Sequence, residues 1–170
     1  MTIDVVKGID NKILRTVSKP VAVINADIRK FAQEMIKTME YEKGVGIAAP
    51  QVGRNIRLVI CKFNPGGNNE VIIPMVNPEI LELSEDLQNA EEGCLSLPGL
   101  WGHVRRAKYA IVTFKNLKNQ SQTLELSGYN ARIIQHEVDH INAVLFADKA
   151  TDLEQKALRK KREKSKKDEK

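Results

Sequence analysis

Two of the three histidines in this 170-residue chain stand four residues apart, in the segment QHEVDH that begins at Gln135. Residues at this spacing on an α-helix point in nearly the same direction, so the imidazoles of His136 and His140 can bind one metal ion. Glu137 would then lie beside the ion, where a carboxylate can accept a proton from water and pass it to a leaving group. The pattern therefore predicts a helix over residues 128–143 that carries a hydrolytic metal site.

A catalytic metal site commonly has three protein ligands and one open position, so a third ligand is needed. No histidine follows His140, and the acids after it lie near or inside a predicted capped helix. Cys94 lies upstream in EEGCLSLPG, between glycines and a proline, where a thiol can be exposed. A Cys-His-His set suits Zn²⁺, Fe²⁺ or Co²⁺. On residue type alone Cys94 could also be a small core residue or a nucleophile, and Cys61, in an apolar strand, is predicted to be a core residue.

The formal net charge of +5 is concentrated at the C-terminus. Residues 156–170 hold nine Lys/Arg and three Asp/Glu, a net of +6, whereas residues 1–155 have a net charge of −1. Any binding of a polyanion is therefore expected at this tail and not on the body of the protein. We predict one catalytic domain over residues 1–155 and a basic tail, helical or disordered, over residues 156–170.

The sequence contains no apolar run close to the roughly 20 residues that a membrane helix needs. Its first residues carry scattered charges and no apolar signal segment. We therefore expect a cytoplasmic protein without membrane contact, and free thiols or a metal ligand in place of a disulfide.

Hydrophobic periodicity predicts an α+β fold. Apolar residues at three-and-four spacing predict a helix over residues 26–40, with Asn25 as its N-cap. The segment TDLE fits a capping box and predicts a further helix that begins at Thr151. Strands are predicted over residues 57–63, 71–76, 80–83, 110–114 and 122–126, the last two as a hairpin. We expect mixed or antiparallel sheets around the central HExxH helix, with peripheral helices toward the N- and C-termini.

Three separated motifs together resemble a known family. They are GVGIAAPQVG at residues 44–53, EGCLSLPG at residues 92–99 and QHEVDHINAVLF at residues 135–146. The sequence resembles the peptide deformylases, whose first motif is a Gly-x-Gly-hydrophobic-Ala-Ala-x-Gln loop. The second motif of that family contributes a cysteine ligand, and the third contributes two histidine ligands. The motifs occur in the family's order and at its approximate separations.

The resemblance implies a metal-dependent hydrolase that removes the formyl group from N-terminal formyl-methionine of nascent polypeptides and releases formate. Cys94, His136 and His140 would hold one divalent ion, with metal-bound water as the nucleophile and Glu137 as general base and acid. The family's usual ion in the cell is Fe²⁺, which Zn²⁺ or Ni²⁺ can replace. The resemblance also implies docking on the ribosome through the basic C-terminal tail, and no specific DNA binding is expected.

Further roles also follow from the resemblance. Gln51 and the backbone N–H of Leu95 would donate hydrogen bonds to the formyl oxygen as it becomes an oxyanion. An amide suits this role because it donates without bringing a full charge near the ion, although on its own Gln51 could be an ordinary loop residue. The implied substrate-binding residues are Val45, Gly46, Trp101, Tyr129 and Ile133.

The sequence departs from the family pattern at two places. Ala143 stands where the family usually has a glycine after the second histidine, so the family pattern does not fix the residue at which the metal-binding helix ends. Trp101 stands where some members have an arginine. We also predict that Arg106 pairs with Asp139 and that Glu92 orients a metal-binding histidine.

Two other functions remain open from the residues. A small zinc endopeptidase of the HExxH type would use a carboxylate or histidine as its third ligand. A nucleic-acid or ribosome-binding module would use the basic tail, and its binding would weaken steeply with salt.

Overall fold

The apolar run LVICKF forms strand β2 (Leu58–Phe63), whose side chains alternate between two core clusters. One cluster surrounds the N-terminal helix α1 (Ala26–Tyr41), and the other surrounds helix α2 (Gly128–Ile141). A strand that is covered on both faces needs apolar residues at successive positions, as at residues 58–61 here, because successive side chains point to opposite faces. The computed structural model describes residues 1–155, and this helix–sheet–helix arrangement organises most of them.

Two antiparallel sheets contain the strands. Besides β2, the strands are β1 (Gly46–Ala48), β3 (Val71–Leu83), β4 (Leu87–Cys94), β5 (Leu97–Ala107), β6 (Tyr109–Lys115), β7 (Ser121–Ser127) and β8 (Glu154–Gln155). The larger sheet has the order β1–β2–β3–β6–β7, and the smaller has the order β4–β5–β8. A 3-10 turn (Ala49–Val52) follows β1, and a short helix α3 (Phe146–Lys149) follows α2.

The predicted α+β class, with antiparallel sheets around the HExxH helix, is confirmed. The N-terminal helix begins as predicted, because the Asn25 side chain accepts a hydrogen bond from the backbone N–H of Ile28 at 3.0 Å. The predicted hairpin corresponds to β6 and β7. Within residues 1–155 the helices are too short or too polar to cross a membrane.

The helix predicted to begin at Thr151 is wrong for the residues that can be compared. Residues 151–153 lie outside any helix, and β8 follows them. The backbone N–H of Thr151 donates to the His103 carbonyl at 3.0 Å, and the Asp152 carboxylate accepts the His103 backbone N–H at 2.8 Å. The Thr151 hydroxyl, which would cap the helix, instead donates to the His103 carbonyl at 3.4 Å, so this segment is attached to β5. The predicted tail over residues 156–170 lies outside the described residues.

The two strands predicted over residues 71–76 and 80–83 are parts of one strand, β3. Asn77 lies between them with a φ of 50°, and its side chain accepts from the Val21 N–H at 2.8 Å. The register between β3 and β6 shifts between Val76 and Glu79. The irregularity lets β3 continue through Pro78, which has no backbone N–H to donate to a neighbouring strand.

No strand is predicted from sequence over β4 or β5, although they form the longest hairpin of the smaller sheet. Charged residues obscure the alternation of apolar and polar positions there. Two of these charged residues, Glu92 and Arg106, are buried. A pattern based on hydrophobicity cannot identify an inward-facing position that is filled by a charged side chain.

Helix α2 ends with an alanine in a conformation that favours glycine. The Val144 N–H donates to the Asp139 carbonyl at 2.9 Å, and the Ala143 N–H donates to the His140 carbonyl at 3.2 Å. This pair of bonds is typical of a helix that ends at a left-handed residue. Ala143 has a φ of 62°, so the helix ends at Ile141 although the family's glycine is absent.

Replacement of Ala143 with glycine is expected to stabilise the protein by about 0.5–1 kcal/mol, because glycine adopts positive φ without steric cost. The melting temperature measured by circular dichroism should rise by about 1–4 °C. Ala150→Gly is the matched control, since Ala150 has an ordinary φ of −69° and glycine there should lower stability. A lower melting temperature for Ala143→Gly would contradict the backbone strain at this residue.

Candidate active site

Helix α2 brings its two histidines together at the wall of a cavity. His140 is fully buried and His136 is partly buried, and the centres of their rings are 5.0 Å apart. Burial lowers the pKa of His140 well below its usual range, which keeps its imidazole neutral. A neutral imidazole is the form that binds a metal ion.

Cys94 reaches the histidines from the hairpin of the smaller sheet. It ends β4 and is paired with Leu97, so Leu95 and Ser96 form the two-residue connection to β5. Its Sγ atom lies 3.2 Å from Nε2 of His140. The sulfur and one ring nitrogen of each histidine all lie within 4.8 Å of one another. A thiolate with two imidazoles is a donor set typical of Zn²⁺ and Fe²⁺ sites, so these residues fit a divalent cation.

Glu92 lies behind His136 and accepts several hydrogen bonds. Nδ1 of His136 is 2.9 Å from the Glu92 carboxylate, and a proton on Nδ1 leaves Nε2 free to bind a metal ion. Arg106 donates to the same carboxylate at 2.7 and 2.9 Å, and Arg132 donates at 2.6 Å. Burial raises the pKa of Glu92, but the hydrogen bonds from Arg106 and His136 outweigh it and the pKa is lowered. The carboxylate therefore stays ionised.

Both arginines are buried and connect elements that are distant in the sequence. The predicted pair is present, since Arg106 donates to the Asp139 carboxylate at 2.6 Å. Arg132, which sequence reasoning missed, also donates to the backbone carbonyls of Val104 at 3.0 Å and Gln88 at 2.8 Å. It thereby attaches α2 to both strands of the hairpin. The available signal was its position four residues before His136, on the same face of the helix.

The side-chain amide of Gln51 is held in a fixed orientation. Its oxygen accepts a hydrogen bond from the Ala48 backbone N–H at 2.8 Å. Its nitrogen donates to the Ser96 hydroxyl at 3.2 Å and lies 3.4 Å from the Cys94 sulfur. Because the oxygen is already bound to its own loop, the amide presents a donor, not an acceptor, toward the metal-binding group.

The Glu137 carboxyl is buried next to the same group. Its Oε2 atom is enclosed and has no hydrogen-bond partner among residues 1–155. Burial raises the pKa of Glu137 to about 7, although the nearby charges of His136 and Arg106 oppose the rise. A carboxyl with a pKa near neutrality can accept a proton and release it again in one reaction cycle.

Ten of the predicted site residues line one cavity of about 450 Å³, which is an ordinary size for a ligand pocket. Trp101 stands on its wall in a fixed place, because its indole lies over Gly93 on the paired strand. Only His140 among the predicted site residues is absent from the lining, since it lies behind the wall. The ten that line the cavity are Val45, Gly46, Gln51, Cys94, Leu95, Trp101, Tyr129, Ile133, His136 and Glu137.

The three motifs of the sequence thus meet around one cavity, and comparison with known proteins identifies the family. The family model described as polypeptide deformylase matches residues 3–156. The chain belongs to the polypeptide deformylase family. Its members are metal-dependent hydrolases that remove the N-terminal formyl group from methionine, so the resemblance seen in the motifs is confirmed.

Curated deformylases align over most of this family member. Peptide deformylase 2 of Gloeobacter violaceus is 41% identical over 139 residues, which are 82% of this chain and 74% of the relative. The peptide deformylase of Thermotoga maritima is 40% identical over 149 residues, which are 88% of each chain.

Solved deformylase structures have the same fold. The crystal structure of the Thermotoga maritima enzyme has a TM-score of 0.83 at 36% identity and covers 89% of this chain and 99% of its own. A class I type b deformylase from Acinetobacter baumannii, solved with Met-Ala-Ser bound, has a TM-score of 0.81 at 37% identity. That alignment covers 88% of this chain and 98% of the other.

Proposed function

We propose that Cys94, His136 and His140 are the metal ligands of this deformylase and that Glu137 is its general base and acid. The observation that carries the proposal is the meeting of one sulfur and two ring nitrogens within 4.8 Å at the wall of a cavity. The buried carboxyl of Glu137 lies next to them with one oxygen that has no partner among residues 1–155. A cation held by these donors would supply Lewis-acid chemistry at the formyl group.

We propose Fe²⁺ as the ion in the cell, with Zn²⁺ or Ni²⁺ as replacements. The mixed donor set supports this, since a thiolate and two imidazoles accept several divalent transition ions. Glu92 supports the site from behind, because it orients His136 while two arginines keep its own charge balanced.

The hydrolysis needs a proton to be moved twice. In this proposal Glu137 accepts a proton from the attacking water and then delivers it to the methionine nitrogen as the C–N bond breaks. Formate and a free amino terminus are the products. Gln51 donates its amide N–H to the formyl oxygen as negative charge develops there, and the backbone N–H of Leu95 is the second donor. The bond from Ala48 to the Gln51 oxygen supports this orientation.

We propose that the substrate enters the cavity with its backbone beside β1. Val45 and Gly46 would offer main-chain groups to the first residue of the peptide, as an added strand does. Val45, Tyr129 and Ile133 would surround the methionine side chain, and Trp101 would contact the next residue. The deformylase from Acinetobacter baumannii with Met-Ala-Ser bound supports a peptide that begins with methionine.

The proposal is tested by anaerobic purification, metal analysis and measurement of formate released from a formyl-Met peptide. We expect one divalent ion per chain and formate release that a chelator abolishes. A metal-loaded protein that cleaves internal peptide bonds and releases no formate would favour the zinc endopeptidase and overturn the proposal.

Cys94→Ala separates the two hydrolases further. Loss of a ligand should weaken metal binding at least as much as loss of an orienting residue, which costs about 10–100-fold. Cys61→Ala is the matched control, since Cys61 is buried in β2 and the metal content of that variant should equal that of the parent. Retention of metal and activity by Cys94→Ala would remove the cysteine from the ligand set.

We also propose that the enzyme acts in the cytoplasm on nascent chains and that residues 156–170 dock on the ribosome. The net charge of +6 in this tail supports binding to ribosomal RNA. Deletion of the tail should weaken co-sedimentation with ribosomes and leave turnover of a short formyl-Met peptide unchanged. A tail whose Lys and Arg residues are replaced with Gln is the control for chain length. Equal affinity of the truncated and full chains for ribosomes would refute the docking.

A further inference from the structure

Gly46 lies closer to the Glu137 side chain than any other residue type would allow. A β-carbon placed on Gly46 would overlap Oε1 of Glu137 and would lie 2.6 Å from its Cδ and 2.8 Å from its Cγ. The overlap involves three consecutive atoms of the side chain, so a small rotation of the carboxylate would not relieve it. The site that a side chain at position 46 would occupy is the site that Glu137 occupies.

The backbone at Gly46 does not itself require glycine. Positive φ values occur at Gly8, Gly53, Gly66, Gly99 and Gly128, and Gly46 is not among them. It lies in the extended strand β1 and is paired with Cys61 of β2. Glycine weakens a strand unless another group approaches its backbone closely. Here the approaching group is the Glu137 side chain.

Packing against its neighbours sets where the protein holds the Glu137 carboxyl. The residue is buried, and its Oε2 atom has no hydrogen-bond partner within residues 1–155. Glu92, by contrast, is held by two arginines and a histidine. In the described part of the chain no arginine or histidine holds the Glu137 carboxyl in this way, so the surfaces packed against it limit where it can lie, and Gly46 is one of those surfaces.

We propose that Gly46 is a positioning residue for Glu137, and that its missing side chain creates the space in which the catalytic carboxyl is held. The inference rests on the proposed role of Glu137 as general base and acid. It adds a second reason for glycine at this position. The substrate would use the main-chain groups of Gly46, whereas Glu137 uses the volume that its side chain leaves empty.

Kinetics of Gly46→Ala test the proposal. The added methyl group should displace the Glu137 carboxyl and lower kcat by at least about 100-fold, the usual contribution of a general base. KM and metal content should stay unchanged, because the metal donors and the main chain of β1 remain. A higher KM with an unchanged kcat would overturn the proposal and would leave only contact with substrate. Activity equal to that of the parent would also overturn it.

A thermal-unfolding cycle tests the same contact without relying on activity. Gly46→Ala is introduced into the parent, into Glu137→Gln and into Glu137→Ala, all in the same metal-loaded form. The melting temperature should fall in the parent and in Glu137→Gln, since both keep the long side chain, and should fall much less in Glu137→Ala. An equal fall in all three backgrounds would overturn the proposal. If the parent releases no formate, the proposed function fails, but this cycle still reports whether Gly46 accommodates Glu137.

Discussion

Replacement of Glu137 with glutamine is expected to lower kcat for formate release by about 10²–10⁴-fold. Glutamine fills the same space beside Gly46 but cannot accept a proton from water and release it to the leaving amine. The metal should remain bound, because Glu137 is not one of the three donors that converge at the site. Steady-state formate release and metal analysis on the same preparation check both expectations.

Asp139→Asn is the matched control for Glu137→Gln. Asp139 lies on the same helix, but its carboxylate is paired with Arg106 at 2.6 Å and with Lys149 at 2.8 Å. Its substitution should act mainly on stability and should lower kcat far less. If Glu137→Gln keeps the kcat of the parent, or loses its metal, the proposed role of Glu137 is wrong.

Replacement of Glu92 with alanine should lower the free energy of unfolding by about 3–5 kcal/mol, because it breaks a buried ion pair. The substitution leaves Arg106 and Arg132, each 3% exposed, without the carboxylate that both contact. It also removes the partner of His136, and metal affinity should fall by about 10–100-fold. Urea unfolding of the metal-free protein measures the first effect, and titration with a metal-binding dye measures the second.

The control for Glu92→Ala is an exposed ion pair at the open end of the same hairpin, between the residue before β4 and the residue after β5. Asp86 lies 2.9 Å from Lys108, with side chains that are 71% and 51% exposed. Asp86→Ala should cost no more than about 1 kcal/mol, because water replaces the partner of an exposed charge. If the two substitutions lower the free energy of unfolding equally, burial does not govern the contribution of Glu92 to stability.

The positions of α1 and α2 and the metal-binding pair could be predicted because they depend on residues that are close in the chain. The Asn25 cap bonds a backbone group only three residues away, and the β6–β7 hairpin joins neighbouring strands. The spacing of His136 and His140 places both rings on one face of any helix that contains them. Cys94 was a candidate third ligand from its Gly- and Pro-bounded segment, and the family resemblance then favoured that role over a core residue or a nucleophile.

Other features were missed because their partners are distant in the chain. The segment after Ala150 has good capping residues for a helix, but Thr151 and Asp152 form hydrogen bonds with the backbone of His103 in β5 instead. The strands β4 and β5 were not recognised, since buried charges interrupt their apolar pattern. In the sequence Arg132 resembles an exposed helical residue, and only the fold shows that it contacts Glu92.

The spacing of residues along the chain was therefore sufficient to predict the pair of histidines, the helix that carries them and the acid between them. The three-dimensional packing alone settled which residues surround that acid and that pair. It placed the Cys94 sulfur 3.2 Å from His140, set Glu92 between two arginines, and put Gly46 where the Glu137 carboxyl needs space. The physical reason is that spacing fixes directions along one helix, whereas distances between separate elements depend on how the whole core packs.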